Sequence, residues 1–269
     1  MPAETTAIAH DADLGADAFS FRLQGRAFAP HFHPAWVVGC VLAGRRRLMV
    51  RGREYLAAGG DVVILRPGAV HACAPDGSAP FVWRGFHFQP ESPVALLLER
   101  IGAPSPCGVV LQAGGIMGEL LRAHALMGAR APRAEKRACL VAALRSLARR
   151  ARQAHGVSPA VPRAGLAGPL ETLRLHLVAH AGKRFSLDDM AAIARMDKFR
   201  LVRVFARLTG ATPYRYLESA RVNRAQELLA QGLPLAEVAL ESGFSDQSHL
   251  ARAFRTRLGV TPGACRRRP

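Results

Sequence analysis

Leu201-Val-Arg-Val-Phe-Ala-Arg-Leu-Thr-Gly-Ala-Thr-Pro213 comes back 49 residues later as Leu250-Ala-Arg-Ala-Phe-Arg-Thr-Arg-Leu-Gly-Val-Thr-Pro262. Leu201/Leu250, Arg203/Arg252, Phe205/Phe254, Gly210/Gly259, Thr212/Thr261 and Pro213/Pro262 coincide. Upstream, Leu187/Leu235, Met190/Val238 and Ala191/Ala239 coincide at an offset of 48, so the second copy has one residue more in its turn. Each copy spells a short helix, a tight turn, a second helix and a glycine stop, which is a helix-turn-helix. Local signals agree. Ser186 with Asp189 has the spacing of a capping box, and Asp197 can cap the helix that follows. Thr212-Pro213 and Thr261-Pro262 each place a capping residue before a proline at the first helical position. A helix over 213–231, apolar at Leu217, Val222, Ala225, Leu228 and Leu229, joins the two units. Pro234 starts the next helix, Gly243 ends it, and Ser245 is expected to cap the last.

In the first unit Leu201, Val204, Phe205 and Leu208 bury one face of the second helix and leave Lys198, Phe199, Arg200, Arg203 and Arg207 mostly outward. In the second unit the outward set is Gln247, Ser248, His249, Arg252 and Arg255. One such face is an ordinary solvated helix surface. Two in register on a repeated helix-turn-helix point to double-stranded DNA.

Arg221-Val-Asn-Arg-Ala-Gln-Glu-Leu-Leu229, Leu235-Ala-Glu-Val-Ala239, Gly243-Phe-Ser-Asp-Gln-Ser-His-Leu250, Phe254 and Gly259-Val-Thr-Pro262 closely resemble the signature of the AraC/XylS family of transcriptional regulators. The resemblance covers about the last hundred residues. It implies that Phe199, Val202 and Arg203 in the first unit, and Gln247, Ser248, His249 and Arg252 in the second, take the base-facing positions; Lys198, Arg200 and Arg255, outward on the same helices, complete the candidate DNA contacts. RNA polymerase is a further partner by the same resemblance. The first turn departs from the family pattern: Arg195 stands where glycine is usual, so Arg195 must take a positive φ or the turn must differ.

Residues 19–90 read differently. Short apolar runs at 37–42, 48–50, 62–65 and 82–88 alternate with Ala43-Gly44, Arg51-Gly52, Pro67-Gly68 and Pro90, the pattern of an antiparallel sandwich or barrel. Pro30-His31-Phe32-His33 and the stretch from Gly60 to His71 resemble the two motifs of a cupin barrel, the sensing domain of the same family. In metal cupins these motifs supply three His and one Glu. His31, His33 and His71 fall at ligand-like positions, but Val37 and Val38 stand where the Glu belongs, and Arg66 replaces a usual Pro. Three imidazoles at His31, His33 and His71 could still hold a metal, but the incomplete ligand set argues against one; the expectation is no cofactor, with the histidines lining an effector pocket or the rim. Trp36, Trp83 and His87 are the further candidates for the pocket, with core packing as their competing role.

The expected fold is α+β in two domains: an N-terminal cupin-like β-barrel with following helices, and an all-α C-terminal domain of two helix-turn-helix units. The boundaries are an N-terminal arm over 1–18, the barrel over 19–90, helices over 91–153, a Pro- and Gly-rich linker over 154–168, and the DNA-binding domain over 169–269. Leu140, Leu144 and Leu147 line one face of a helix over 132–153, which suggests a homodimer, unless they pack on the barrel.

Thirty-seven basic residues against twenty acidic give a net charge of +17, and all but Lys136, Lys183 and Lys198 of the basic residues are arginine. A polyanion partner fits; a coding bias towards Arg and Ala gives the same balance, so position has to decide. The five cysteines are scattered with no C-x-x-C pair, which argues against a disulfide framework or a zinc finger. An acidic start without an apolar stretch and the lack of a long apolar run suggest a cytoplasmic protein that does not enter the membrane. The main reading is a regulator of transcription gated by a small molecule. A metal-dependent cupin enzyme with a helical appendage is the alternative, disfavoured by the missing Glu and by the repeat. An architectural DNA binder without an effector would have no need of the barrel.

Overall fold

Strand β4 (Trp36–Ala43) is apolar at nearly every position because both its faces are covered. It lies inside a six-stranded antiparallel sheet ordered β1-β2-β9-β4-β7-β10, with β1 Thr5–Asp11, β2 Ala16–Leu23, β7 Asp61–Leu65, β9 Phe81–Phe88 and β10 Val109–Gln112. A second antiparallel sheet, β3-β8-β5-β6, comprises β3 Phe28–His31, β5 Arg45–Val50, β6 Arg53–Ala58 and β8 His71–Pro75. The computed structural model describes residues 5–50, 53–100, 109–112, 114–129, 131–155 and 168–265. The expected linker falls largely outside them.

Side chains alternate across each strand. Val37, Val41, Val63, Leu65, Phe81 and Trp83 point between the sheets, where they meet Leu48, Val50 and Ala57. Val38, Cys40, Val62, Ile64, Phe86 and Phe88 point the other way, onto helices α1 (Pro93–Arg100), α2 (Ile116–Gly128) and α3 (Arg133–His155). Leu140, Leu144 and Leu147 are almost fully buried in that second layer. The stripe expected to carry a homodimer is thus part of the chain's own core, and the observation behind a dimer through this helix is removed. Two boundaries also move. Among the described residues the sheet begins at Thr5, so residues 5–18 of the expected arm hold β1 and the start of β2, paired in register from Thr5↔Arg22 to Asp11↔Ala16. Strand β10 interrupts the stretch expected to be wholly helical and pairs with β7.

The C-terminal part comprises α4 (Pro169–Ala179), α5 (Leu187–Ala194), α6 (Lys198–Thr209), α7 (Pro213–Ala230), α8 (Leu235–Glu241), α9 (Gln247–Leu258) and a short 3-10 helix, Pro262–Cys265. Helix α7 is the shared spine. Tyr216, Leu217 and Ala220 close the core of the first unit, and Val222, Ala225 and Leu229 close that of the second. Ser186 and Asp189 form the full reciprocal capping box. Asp197 accepts the Arg200 N–H at 2.9 Å. At the second unit the cap is Asp246, not Ser245: Asp246 Oδ1 accepts the His249 N–H at 2.8 Å, while the Ser245 hydroxyl contacts Asp246 and the His249 ring. Being ionised, a carboxylate makes the stronger acceptor there.

Arg195 does adopt the left-handed conformation, φ 51° and ψ 46°. Its second-unit counterpart, Gly243, has φ 82°, and a Cβ there would lie 2.9 Å from the Gly182 carbonyl oxygen. The first turn is open, so only backbone strain is at stake; the second also faces a backbone collision. Gly243→Ala is expected to destabilise the protein by about 1–3 kcal/mol. Arg195→Gly should be neutral or stabilising by up to about 1 kcal/mol. Urea unfolding of the two full-length variants checks this, and equal losses would contradict it.

Candidate nucleic-acid interface and sensing site

Helices α6 and α9 are twelve residues each, start at an aspartate cap and stop at a glycine in the left-handed region, Gly210 and Gly259. The repeat therefore presents two copies of one device. On α6, Lys198, Phe199, Arg200 and Arg203 are exposed and Val202 is half-buried. Phe199 is 81% exposed, which an isolated surface phenylalanine seldom is without a partner to meet. Lys198 reaches Asp188 at 3.2 Å. On α9, Gln247, Ser248, Arg252 and Arg255 are exposed. Arg200, Arg203, Arg252 and Arg255 have no carboxylate partner among the described residues. His249 is held differently: it is partly buried, its ring edge-on to Phe244 at 5.1 Å. It serves the fold of the turn as well as facing outward. Arg252 and His249 border a cleft of about 310 Å³ between α7 and α9, with Arg215, Glu218 and Thr256 on its walls.

Arg257 was not a candidate in the sequence. It is buried at the end of α9, where its guanidinium pairs with Glu218 at 2.5 Å. Charge at a position matching no counterpart of the first unit (Leu208) was the available signal.

Four of the six expected pocket residues converge. The rings of His31 and His71 stand 4.3 Å apart, His31 and His33 4.9 Å, His33 and His71 5.2 Å, and His33 and His87 4.6 Å. His31 Nδ1 lies 2.8 Å from the Ala29 carbonyl oxygen and His71 Nδ1 2.9 Å from that of Ala69. A carbonyl only accepts, so Nδ1 carries the proton in both rings and Nε2 keeps its lone pair. Burial pushes His71 and His87 down to about 4. Burial, then the neighbouring imidazoles, hold His31 and His33 well below the usual range. All four rings are neutral at pH 7.

Trp83 lies between the sheets, stacked on Phe21 at 5.9 Å. It fills the space over the paired glycines Gly39 and Gly85: a Cβ at Gly39 would fall 2.0 Å from its ring. Trp36 does not join this group. It is buried among the residues under the helices, in register with Phe88 on the opposite face of the sheet, with the Arg66 guanidinium over its ring at 5.1 Å.

The sequence also gave no notice of how the two parts meet. Phe32, between His31 and His33, is buried in the first core of the helical domain together with Val70. Its ring stacks on Tyr216 at 4.5 Å. Its N–H donates to Ser219 Oγ at 3.0 Å, and its carbonyl accepts from Asn223 Nδ2 at 3.1 Å. Arg26 donates to the Gly259 carbonyl at 2.6 Å. Two buried polar residues four apart on α7, Ser219 and Asn223, were the legible sign of a partner, since such groups must be satisfied.

Residues 14–148 match the family described as the AraC-like ligand binding domain, and residues 190–268 the one described as a helix-turn-helix domain. The chain belongs to the AraC/XylS family of transcriptional regulators, with a ligand-binding N-terminal domain and a helix-turn-helix DNA-binding domain. Over 256 residues it is 27% identical to the uncharacterized HTH-type transcriptional regulator YbfI of Bacillus subtilis, covering 93% of this chain and 91% of that one. It is 33% identical over 104 residues to the right origin-binding protein of Escherichia coli, 38% of this chain and 36% of the relative. In fold it is similar to apo ToxT of Vibrio cholerae, with a TM-score of 0.62 at 11% identity over 93% of this chain and 96% of that one. ToxT with a bound unsaturated fatty acid aligns at a TM-score of 0.57 and 11% identity, covering 97% and 95%. Among the described residues no helix is long and apolar enough to cross a membrane.

Proposed function

We propose that α6 and α9 enter successive major-groove segments on one face of the duplex, and that a small ligand at the histidine cluster sets how the two domains are arranged. The observation that carries the first half is the pairing of two identically capped helices, each with exposed arginines, on the ends of one rigid helix. Helix α7 has 18 residues; at about 1.5 Å per residue it spans roughly 27 Å, near the ~34 Å between adjacent major-groove faces. Arg203 and Arg252 are the direct readers, since arginine bonds guanine O6 and N7 together. Phe199, Val202, Gln247 and Ser248 give the remaining base-facing contacts, and Lys198, Arg200 and Arg255 contact phosphate. The cluster flanks Phe32, the residue through which the barrel grips α7, so a ligand there prefers one domain arrangement over another. The fatty acid held by ToxT supports a small-molecule site in this fold.

The test is fluorescence anisotropy on a duplex selected from a random pool. Arg252→Ala is expected to cost about 1–3 kcal/mol on the selected duplex and to relax preference at one base position. Equal weakening on selected and random duplexes would make Arg252 a phosphate contact and refute its reading role.

A further inference from the structure

We propose that His31, His33, His71 and His87 bind one divalent transition-metal ion of the imidazole-preferring class, zinc, cobalt or nickel, and that this ion is the ligand the N-terminal domain senses. The second half rests on the regulatory reading above; the first does not. Geometry carries the site. One nitrogen each from His31, His33 and His71 already lies within 4.8 Å of the others. Tetrahedral ligands at about 2.0–2.1 Å from zinc stand roughly 3.4 Å apart, a distance that small ring rotations reach. His87, on β9, stands outside that group of three with its ring 4.6 Å from His33, and moves in as the fourth ligand. The outer shell is in place as well. The Ala29 and Ala69 carbonyls fix His31 and His71 in the tautomer that turns Nε2 inward, the arrangement that orients histidine ligands at metal sites.

Size favours an ion over an organic molecule. The imidazoles stand ring to ring, with the Phe19 ring 4.3 Å from His87 and the Phe28 ring 6.4 Å from His31. An all-imidazole set without a carboxylate suits zinc, cobalt or nickel and suits calcium or magnesium poorly.

The same geometry gives the ion a route to the DNA. His31 and His33 are the chain neighbours of Phe32, whose backbone is clamped by Ser219 and Asn223. An ion that draws His31 and His33 together therefore bears on the clamped Phe32 backbone, and docking bears on the ion in equal measure.

Tag-free full-length protein, stripped with EDTA and dialysed, is titrated with cobalt(II) and then with zinc. Expected are the intense visible bands of a tetrahedral cobalt site, one equivalent of zinc bound with a Kd at or below about 1 μM, and a change of about 5–150-fold in affinity for the selected duplex on adding that equivalent. His33→Ala and His87→Gln should each weaken zinc binding about tenfold or more. No cobalt band and no zinc uptake by the folded wild-type protein would overturn the site, and metal-free binding to the selected duplex would show that the regulatory reading survives. Uptake undiminished in both variants would place the ion elsewhere and also overturn it. Uptake at the cluster with unchanged DNA affinity would overturn the sensing role.

Discussion

Acidification from pH 7 to pH 4 in the presence of EDTA is expected to unfold the N-terminal domain while the C-terminal domain persists. His71 and His87 are pushed down to about 4 by burial, and burial with the neighbouring imidazoles holds His31 and His33 well below the usual range. In the unfolded chain each returns to about 6.5. Between those values the unfolded state takes up protons that the folded state refuses, so stability falls as pH falls. The full stability is present above about 6.5 and is lost through the window down to about 4. At about 1.4 kcal/mol per pH unit and group, His71 and His87 alone withdraw several kcal/mol, comparable to the whole stability of a domain. The helical domain has no such cluster among the described residues. Of its shifted carboxylates, Asp189 and Asp246 are lowered by their capping hydrogen bonds, so their contribution persists until the pH drops below the ordinary carboxylate range, and Glu227 is raised by burial, which favours the folded state as the pH falls. Trp36 and Trp83, the only two tryptophans, both lie in the N-terminal domain. Their fluorescence reports that domain, and far-UV dichroism is dominated by the helices. A tryptophan signal unchanged down to pH 4.5 would refute the expectation.

Phe205→Ala and Phe254→Ala are each expected to cost about 3–5 kcal/mol, since both rings are fully buried. The repeat makes them equivalent in sequence, yet they should fail differently. Phe254 packs with Val222, Ala225, Val238 and Leu250, so its loss should loosen α8, α9 and the second half of α7. Phe205 packs with Leu173, Met190 and Tyr216, at 5.5 Å from the last. Tyr216 is the ring on which Phe32 rests, so Phe205→Ala should also weaken the hold on the barrel. Hydrogen exchange resolved by peptide checks both. Exchange rising equally over all of 168–265 in both variants would mean that the two cores are one cooperative unit.

The helix-turn-helix pair was legible because its signals are local. A carboxylate three residues before the N–H it accepts, a glycine at a positive φ and a proline at the first helical position each act within one turn of chain, so the sequence alone places them. The slip from Ser245 to Asp246 is the size of error such signals allow, two adjacent capping residues differing only in acceptor strength. Of the strands over 36–88, β4, β5, β7 and β9 were legible from their apolar runs, while β6 and β8, which have no such run, were not. The hairpin from Thr5 to Leu23 was not, because β1 is an exposed edge whose residues carry no alternating burial to read.

What the sequence by itself determined, then, is the repeat, the caps at Ser186 and Asp197, the outward polar faces of α6 and α9, and three histidines set in two short motifs. Tertiary structure alone decided which way each face turned. Trp36 and Trp83 are both strand tryptophans, but pairing opposite Phe88 sends the first under the helices, and the paired glycines Gly39 and Gly85 give the second its place between the sheets. Leu140, Leu144 and Leu147 form an apolar stripe whether they meet another chain or this one, and only the fold shows them closing the layer over the sheet. The grip of Ser219 and Asn223 on Phe32 joins residues 187 or more positions apart. Burial and long-range contact are properties of the partner as much as of the residue, and the partner is chosen by the packing of the whole chain.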